Sequence, residues 1–195
     1  MPADRHSLPD NELSSGMRLL RRIRRRLRSH RIRIWARARL RHRDAVIIDT
    51  ETTDLFGEVI QISVIDLDGR TLLDTLVRAH ATIVPAATAV HGLADADLAG
   101  APTLHQVAAQ LLQVTRDRQL LAYNAPYDRE VLTRDLTAAD IDPEHLGRAD
   151  NWACLMRARA VVEGRSWAAL SGPHRSLGDC EAALEVLHIL ARRPA

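Results

Sequence analysis

The chain has 195 residues, of which 46% are hydrophobic and only 3% aromatic, so we expect a globular domain with a mainly aliphatic core. Its two cysteines, Cys154 and Cys180, are too few for a disulfide framework or a cysteine-based zinc site. It contains no run of about 18 apolar residues, which argues against a membrane span, and no secretory signal, so a cytoplasmic setting is expected.

The net charge of +2 hides an uneven distribution of charge along the chain. Residues 1–43 contain 14 arginines and 3 acidic residues, a balance of +11, whereas residues 44–195 contain 13 arginines and 22 acidic residues, a balance of −9. We therefore expect a basic N-terminal arm, residues 1–43, ahead of a mildly acidic domain, residues 44–195. Such an arm indicates a polyanionic partner, either nucleic acid or an anionic surface.

The arm is expected to be disordered at its start and helical afterwards. Residues 1–16 are polar, whereas residues 17–43 predict a basic helix. A thin apolar stripe on this helix consists of Leu19, Ile23 and Leu27. Because the stripe is narrow, we expect the helix to be stable only when it is bound to another surface. Three interpretations stay open: contact with nucleic-acid phosphates, docking on an anionic membrane or partner protein, and a solvated tail upstream of a translation start at Met17.

Residues 44–195 predict an α/β domain with a mixed sheet. Three consecutive strands, expected to form an antiparallel meander, lie in AVIIDTE, EVIQISVIDLDG and TLLDTLVRA. A helix then begins at Pro102 and Thr103, a short buried strand lies in QLLAYN, and Pro126 starts a helix that runs to Leu136. A short strand or a helix start follows in WACLMRARAVV, and residues 176–193 form the final helix. This order of elements predicts a sheet flanked by helices.

Carboxylates stand at the ends of these predicted elements. Asp49 and Glu51 end the first strand two residues apart, so their side chains share one face and repel each other unless a cation lies between them. Asp128 lies in the first turn of its helix, and Asp179 lies near the start of the last helix, five residues after His174. Taken singly, these residues are also typical of solvated turn acids, of an acid that complements a helix dipole and of a surface His–Asp pair.

Taken together, the four carboxylates predict a metal centre. Hard oxygen donors suit Mg²⁺ or Mn²⁺ better than zinc. Two such ions about 4 Å apart form a clamp for in-line attack at phosphorus. A loop histidine beside a helix-borne aspartate could also place a base next to a metal ligand.

Three motifs occur in order along residues 45 to about 192. They are VIIDTETTDL, LLAYNAPYDREVL and HRSLGDCEAAL. The segment AVHGLADADLAGAPTLHQVA, which contains His91, lies between the first two. In this order and at these intervals, the motifs resemble those of the DnaQ-like exonucleases with the DEDDh signature, a family that includes the proofreading subunit of bacterial DNA polymerase III and ribonuclease T.

The resemblance implies a ribonuclease H-like fold, a five-stranded mixed sheet flanked by helices. It implies hydrolysis of nucleic acid from the 3′ end to nucleoside 5′-monophosphates, with two divalent ions, Mg²⁺ or Mn²⁺, as cofactors. The implied metal ligands are Asp49, Glu51, Asp128 and Asp179, with Asp49 shared by both ions. His174 is implied to deprotonate the attacking water. The implied substrate contacts are Thr52, Thr53, His91, Asn124 and Tyr127.

The expected partner is a single-stranded or frayed 3′ end of DNA, with RNA as the alternative, and a polymerase or repair partner is also expected. A catalytically silent nucleic-acid-binding module of the same fold, and a structural subunit of a replication or repair assembly, are the competing hypotheses. Three departures from the family pattern bear on them. Asp54 stands where a glycine is usual, the approach to His91 lacks a common acid, and the stretch 161–174 is short.

Overall fold

The computed structural model describes residues 10–165 and 168–192, with side chains from residue 16 onward. The strands are β1 (Ala45–Thr52), β2 (Val59–Asp66), β3 (Thr71–Leu76), β4 (Gln119–Ala122) and β5 (Trp152–Cys154). The helices are α1 (Asp10–His42), α2 (Pro85–His91), α3 (Asp95–Leu98), α4 (Leu104–Thr115), α5 (Ala125–Ala138), α6 (Leu155–Glu163) and α7 (Ser176–Ala191). Two 3₁₀ turns, Glu144–Gly147 and Ala149–Asn151, precede β5.

The strands form one mixed sheet in the order β3-β2-β1-β4-β5. β1 pairs antiparallel with β2 and β2 pairs antiparallel with β3, while β4 lies parallel to β1 and β5 lies parallel to β4. The predicted α/β class, antiparallel meander and five-stranded mixed sheet are therefore confirmed. β2 is buried from Val59 to Ile65, because both faces of the sheet are covered.

The side chains of β1 point alternately into two hydrophobic layers. Val46 and Ile48 pack with α4 and α5 on one face of the sheet. Ala45 and Ile47 pack with α6 and α7 on the other face. Because successive residues of a strand face opposite sides, this single strand connects both layers of the core. Its carboxyl end therefore carries polar side chains toward two different helices.

The arm is more ordered than its sequence predicts. α1 begins at Asp10, so the predicted disorder is wrong for residues 10–16, while residues 1–9 lie outside the described part of the chain. The helix predicted for residues 17–43 is confirmed, and its last residue is His42. No helix in the described ranges combines the length and apolar character that a membrane span requires.

The second half of α1 packs on α6 and α7. Ala36 is fully buried in the layer that contains α7. Ser29 Oγ donates to the Val161 carbonyl at 3.4 Å, and Trp35 Nε1 donates to Gln119 Oε1 at 3.3 Å. The second half of α1 is thus held in place by its contacts with α6, α7 and the start of β4. The predicted apolar stripe does not make this contact, since its members are 45–59% exposed: Leu19, Ile23 and Leu27.

Candidate active site

β1 presents its polar residues alternately to α7 and to α5. Asp49 and Glu51 face α7, where their carboxylates approach that of Asp179. Thr50 faces α5 and donates a hydrogen bond of 3.0 Å to the carboxylate of Asp128. The alternation of side chains along a strand therefore delivers neighbouring residues to two helices on opposite faces of the sheet.

Asp49, Glu51 and Asp179 form an acidic group whose ligand oxygens all lie within 4.8 Å of one another. Burial raises the pKa of Asp49 well above its usual range, and the neighbouring carboxylates raise it further. Burial, followed by the charge of Asp179, raises the pKa of Glu51 to about 8, while Arg175 opposes this effect. Carboxylates held this closely favour a cation between them, because the cation removes their repulsion.

Asp128 approaches the acidic group from the side of α5. It lies in the first turn of α5, and only 3% of its surface is exposed. Burial raises its pKa to about 7, although the hydrogen bond from Thr50 lowers it. After burial, the charge of Asp128 is the strongest influence on the pKa of Asp49, so the two carboxylates lie close together. The structure thus brings together the carboxylates of Asp49, Glu51 and Asp179, while Asp128 influences Asp49 from the side of α5 and does not belong to that close group.

His174 lies in the loop before α7, beside Asp179. Its φ of 54° is in the left-handed region, and its side chain is exposed. Burial raises the pKa of Asp179, whereas the charge of His174 and a hydrogen bond from its backbone lower it. Gly172 faces the same carboxylate, since a Cβ at this position would collide with it. An imidazole open to solvent therefore stands next to the acidic group.

Thr52, Tyr127 and Asn124 lie on the α5 side of the site. Thr52 Oγ1 is 2.7 Å from the Tyr127 hydroxyl and donates to the Asp54 carbonyl at 2.7 Å. The exposed side chain of Asn124, at the N-terminus of α5, makes no capping hydrogen bond to the helix. The exposed Asn124 and the half-buried Tyr127 can therefore contact a ligand that lies over the end of β1, whereas Thr52 is buried and holds the Tyr127 hydroxyl.

Thr53 and Asp54 are bound within their own loop. Thr53 is 1% exposed, and its hydroxyl accepts a hydrogen bond of 3.0 Å from the Glu58 backbone N–H. The structure therefore does not bring the Thr53 hydroxyl to the surface of the site. Asp54 is exposed, and its carboxylate accepts a hydrogen bond of 2.7 Å from the Leu55 N–H. The Asp54 side chain therefore stabilises the turn that follows β1.

His91 ends α2 and is 4% exposed. Its Nδ1 accepts a hydrogen bond of 3.0 Å from the Leu93 N–H, so the neutral ring carries its proton on Nε2. Burial lowers the pKa of the ring most, a backbone contact with Thr52 raises it, and the charge of Arg175 lowers it. Among the described residues, Nε2 is buried and has no hydrogen-bond partner. A buried donor of this kind is costly unless a ligand satisfies it.

Arg175 is a site residue that the sequence analysis missed. Its Nε donates to Gln61 Oε1 at 3.2 Å, and its charge lowers the pKa of both Glu51 and His91. Ser176, the next residue, has its Oγ 2.5 Å from that of Ser63 on β2. These contacts fix the start of α7 against β2. The only signal in the sequence was that Arg175 directly follows His174.

The donor set fits a divalent metal ion. Four carboxylates supply only oxygen ligands, which suit Mg²⁺ or Mn²⁺. One oxygen, Asp179 Oδ1, is buried and lacks a hydrogen-bond partner within the described ranges. A buried and unsatisfied carboxylate oxygen indicates a ligand that the protein itself does not supply. Asp49, Glu51 and Asp179 could therefore bind a metal ion.

The ribonuclease H-like sheet and its acidic cluster define a nuclease. The family model RNase_T, described as an exonuclease family, matches residues 46–187. The chain belongs to this exonuclease family, and the resemblance to the DnaQ-like exonucleases is confirmed.

The relatives are named as exonucleases or after subunit epsilon of DNA polymerase III. An uncharacterized exonuclease, CP81, of Escherichia phage 186 is 30% identical over 172 residues, which cover 76% of this chain and 89% of the phage protein. A DNA polymerase III subunit epsilon-like protein of Rhodobacter capsulatus is 39% identical over 98 residues, which cover 46% of this chain but only 14% of that protein. The solved structure of exonuclease X in complex with 5′ overhanging duplex DNA has a TM-score of 0.54 and 29% identity, and the match covers 73% of this chain and 89% of that chain.

Proposed function

We propose that the chain is a 3′→5′ exonuclease that hydrolyses DNA from the 3′ end to nucleoside 5′-monophosphates with two divalent ions, Mg²⁺ or Mn²⁺. The observation that carries the proposal is the convergence of the carboxylates of β1, α5 and α7 next to an exposed imidazole. This donor set is the kind that supports hydrolysis of a phosphodiester.

The carboxylates have different roles in this proposal. Asp49 contributes to both metal sites, because it is close to Glu51 and Asp179 on one side and to Asp128 on the other. Glu51 and Asp179 would help to hold the ion that activates the attacking water, and Asp128 would help to hold the ion that neutralises charge on the leaving oxygen. When bound, the ions lower the pKa of a water ligand and neutralise charge that develops at phosphorus.

His174 is proposed as the general base. Its exposed imidazole accepts a proton from the water that attacks phosphorus, and the adjacent carboxylate of Asp179 stabilises the ring when it becomes positively charged. The short loop between Gly172 and α7 positions the ring, since Gly172 leaves room for the Asp179 carboxylate.

The 3′-terminal nucleotide is proposed to lie over the end of β1. Thr52 and Tyr127 offer two hydroxyl groups 2.7 Å apart, and Asn124 offers an exposed amide. His91 offers the unpartnered Nε2 donor, which a hydroxyl or phosphate oxygen of the substrate would satisfy. Thr53 contributes indirectly, because its buried hydroxyl holds the loop that follows β1.

DNA is the proposed substrate because the similar exonuclease X was solved with 5′ overhanging duplex DNA. The name of the Rhodobacter protein suggests a polymerase partner, and a repair assembly would present the same 3′ ends. The basic arm is proposed to contact nucleic acid rather than an anionic surface. Cys154 and Cys180 are both free, which fits a reducing, cytoplasmic setting.

The experiment is a product analysis on matched single-stranded DNA and RNA labelled at the 5′ end, with Mn²⁺ or Mg²⁺. A ladder of shortened, 5′-labelled products and release of 5′-monophosphates would support the proposal, and faster cleavage of DNA would support the substrate. Asp49→Ala is the control and should be inactive. Cleavage of RNA alone would overturn the substrate proposal, and binding without cleavage by the wild-type protein would favour a silent binding module.

A further inference from the structure

An open cavity of about 350 Å³ lies between the exposed half of α1 and the end of α6. Its basic lining consists of Arg21, Arg24, Arg25, Arg28 and Arg165. The remaining lining residues are Ala160, Val161 and Gly164. We refer to it as the arginine cavity. α1 precedes the segment that the exonuclease family model matches, so the cavity is partly built from residues outside the family domain.

Helix geometry explains why these arginines share one wall. Residues 21, 24, 25 and 28 are spaced by three, one and three positions, which places them on one face of α1 over about 10 Å. The wall is held by the contacts of Ser29 and Ala36 with the body of the protein. Arg25 lies directly against Gly164, where an added Cβ would collide with its guanidinium. The arginine cavity is therefore supported by packing on both sides.

The charge of the arginine cavity is not neutralised from within. None of the described residues that line it is acidic. The nearest acid in sequence, Glu163, is bound to Arg159 at 2.7 Å and lies 3.9 Å from Arg165 Nε. The four guanidinium groups of α1, together with Arg165, whose charge Glu163 partly offsets, thus attract an anion from outside, and their planar forks match the oxygens of phosphate groups.

We propose that the arginine cavity binds the phosphate backbone of DNA at a distance from the acidic cluster. This inference rests on the proposed function, which supplies DNA as the substrate. The cavity is large enough for a phosphate group with its sugar, and the length of its wall fits successive phosphates of one strand. Arg165 stands nine residues before His174, so a short segment of the chain connects the cavity with the proposed base.

A membrane surface fits the arginine cavity less well than DNA does. The apolar residues exposed on α1 that repeat at helical spacing are Leu19, Leu20, Ile23, Leu27 and Ile34. At 3.6 residues per turn, this stripe is turned about 120° away from the centre of the arginine wall. A helix that inserted the stripe into lipid would not direct the arginines of the concave wall toward the headgroups. DNA is therefore the occupant that the cavity favours.

The test compares two double variants of the same helix. Arg24→Ala with Arg28→Ala removes two guanidinium groups from the cavity, whereas Arg22→Ala with Arg26→Ala removes two exposed arginines that do not line it. Both pairs are spaced by four residues and change the net charge equally. Binding to a labelled duplex with a recessed 3′ end is measured by fluorescence anisotropy in EDTA, so that no cleavage occurs, over about 50–200 mM salt.

The cavity pair should weaken binding about tenfold and lower the salt slope by about two, because each lost phosphate contact lowers the slope by about 0.9. The control pair should weaken binding less than about threefold. Equal losses in the two variants would overturn the proposal, since they would reflect net charge alone. Loss of binding to phosphatidylserine vesicles, with DNA binding unchanged, would also overturn it. Cleavage of a dinucleotide by the wild-type protein tests the proposed function separately, because so short a substrate does not span both sites.

Discussion

Thr50 Oγ1 donates a hydrogen bond of 3.0 Å to Asp128 Oδ1, and this bond joins the central strand to α5 inside the acidic site. Burial raises the pKa of Asp128 to about 7, and the bond from Thr50 lowers it. The hydroxyl therefore helps to keep a buried carboxylate ionised, which is the form that binds a metal ion. Thr50 is thus a positioning residue for Asp128.

We expect Thr50→Val to shift the acidic limb of the pH–rate profile to higher pH, because the pKa of Asp128 rises when the hydrogen bond is lost. Activity near neutral pH should fall about tenfold and recover at higher pH. Thr50→Ser keeps the hydroxyl and should retain the wild-type profile. A Thr50→Val variant that lost activity equally at every pH would contradict the proposed role.

Glu51 should destabilise the metal-free protein as the pH rises. Its folded pKa is raised from 4.5 to about 8, so the folded state holds this proton more tightly than the unfolded state. The stability from this proton is complete below about pH 4.5 and is lost as the pH rises through about 8. Glu51→Gln should therefore unfold at a higher temperature than wild type at pH 8–9 in EDTA, and at a similar temperature near pH 4.

Glu58 provides a control for this measurement, because its contribution to stability should change with pH in the opposite direction. Partial burial raises its pKa, but hydrogen bonds from His80 and Ala81 outweigh burial and lower it overall. Its contribution to stability is therefore present above the unfolded pKa and is lost as the pH falls through the folded pKa. Glu58→Gln should lower the unfolding temperature at pH 8. If both variants shifted stability in the same direction, the electrostatic account of Glu51 would be wrong.

Gly172→Ala should damage the metal site without unfolding the protein. A Cβ at this position would collide with the carboxylate of Asp179, which must then move away from Asp49 and Glu51. A displacement of about 1 Å can cost a factor of about 100, so we expect kcat/KM to fall about 100-fold and the apparent Mn²⁺ affinity to fall with it. Gly100→Ala is the matched control, because no other heavy atom lies within 4 Å of the Cβ that this substitution adds. Unchanged Mn²⁺ dependence in Gly172→Ala would refute this prediction.

His91→Asn should distinguish the roles of the two nitrogens of the buried imidazole ring. The asparagine oxygen can replace Nδ1 as the acceptor of the Leu93 N–H, but the variant lacks a group at the position of Nε2. If Nε2 donates to the 3′-terminal nucleotide, KM should rise about tenfold, the cost of one hydrogen bond, while the unfolding temperature changes little. A large loss of thermal stability with KM unchanged would show that His91 only supports the fold.

The docking of α1 can be tested with one substitution at two positions. Ala36 is fully buried against α7, whereas Ile34 is 52% exposed on the same helix. Ala36→Asp should lower the free energy of unfolding by about 2–4 kcal/mol, because it buries a charge without a partner. Ile34→Asp should change it by less than about 1 kcal/mol. Urea unfolding measures both values, and equal small effects would mean that α1 contributes little to the folded body.

The strands and the four acids were predictable because their signals are local. β-branched runs such as AVII predict buried strands, and Asp49 and Glu51 follow one of them directly. The motifs then supplied Asp128 and Asp179. The bond between Thr50 and Asp128 was not predictable, because it joins residues 78 positions apart and depends on how α5 packs against the sheet.

The short helices α2 and α3 were missed for a physical reason. They contain seven and four residues, and the PAATAVH segment of α2 has no apolar repeat. Helices this short are not stable alone and form because neighbouring residues pack. Here Leu93 and Leu98 pack with Ile60 and Ile83 in a separate hydrophobic cluster.

The contact surface of α1 was missed because it lies beyond the predicted stripe, where Ile32, Trp35 and Leu40 pack against the core beside Ala36. Ala36 and Ser29 allow close approach to neighbouring helices, but neither residue adds to an apolar pattern. The leucines and isoleucine of the predicted stripe remain exposed instead. The division into an arm, residues 1–43, and a domain, residues 44–195, stays a prediction, although α1 packs on that domain.

The position of Asp179 in α7 has a consequence for the order in which the protein gains activity during synthesis. Asp49 is made early on the ribosome, but its partner carboxylate is made more than a hundred residues later. Under the proposed mechanism, a nascent chain that has completed only β1 to α6 lacks one of the proposed metal ligands, Asp179. The proposed hydrolytic capacity would then begin only when α7 docks, so translation itself would delay cleavage until the fold is assembled.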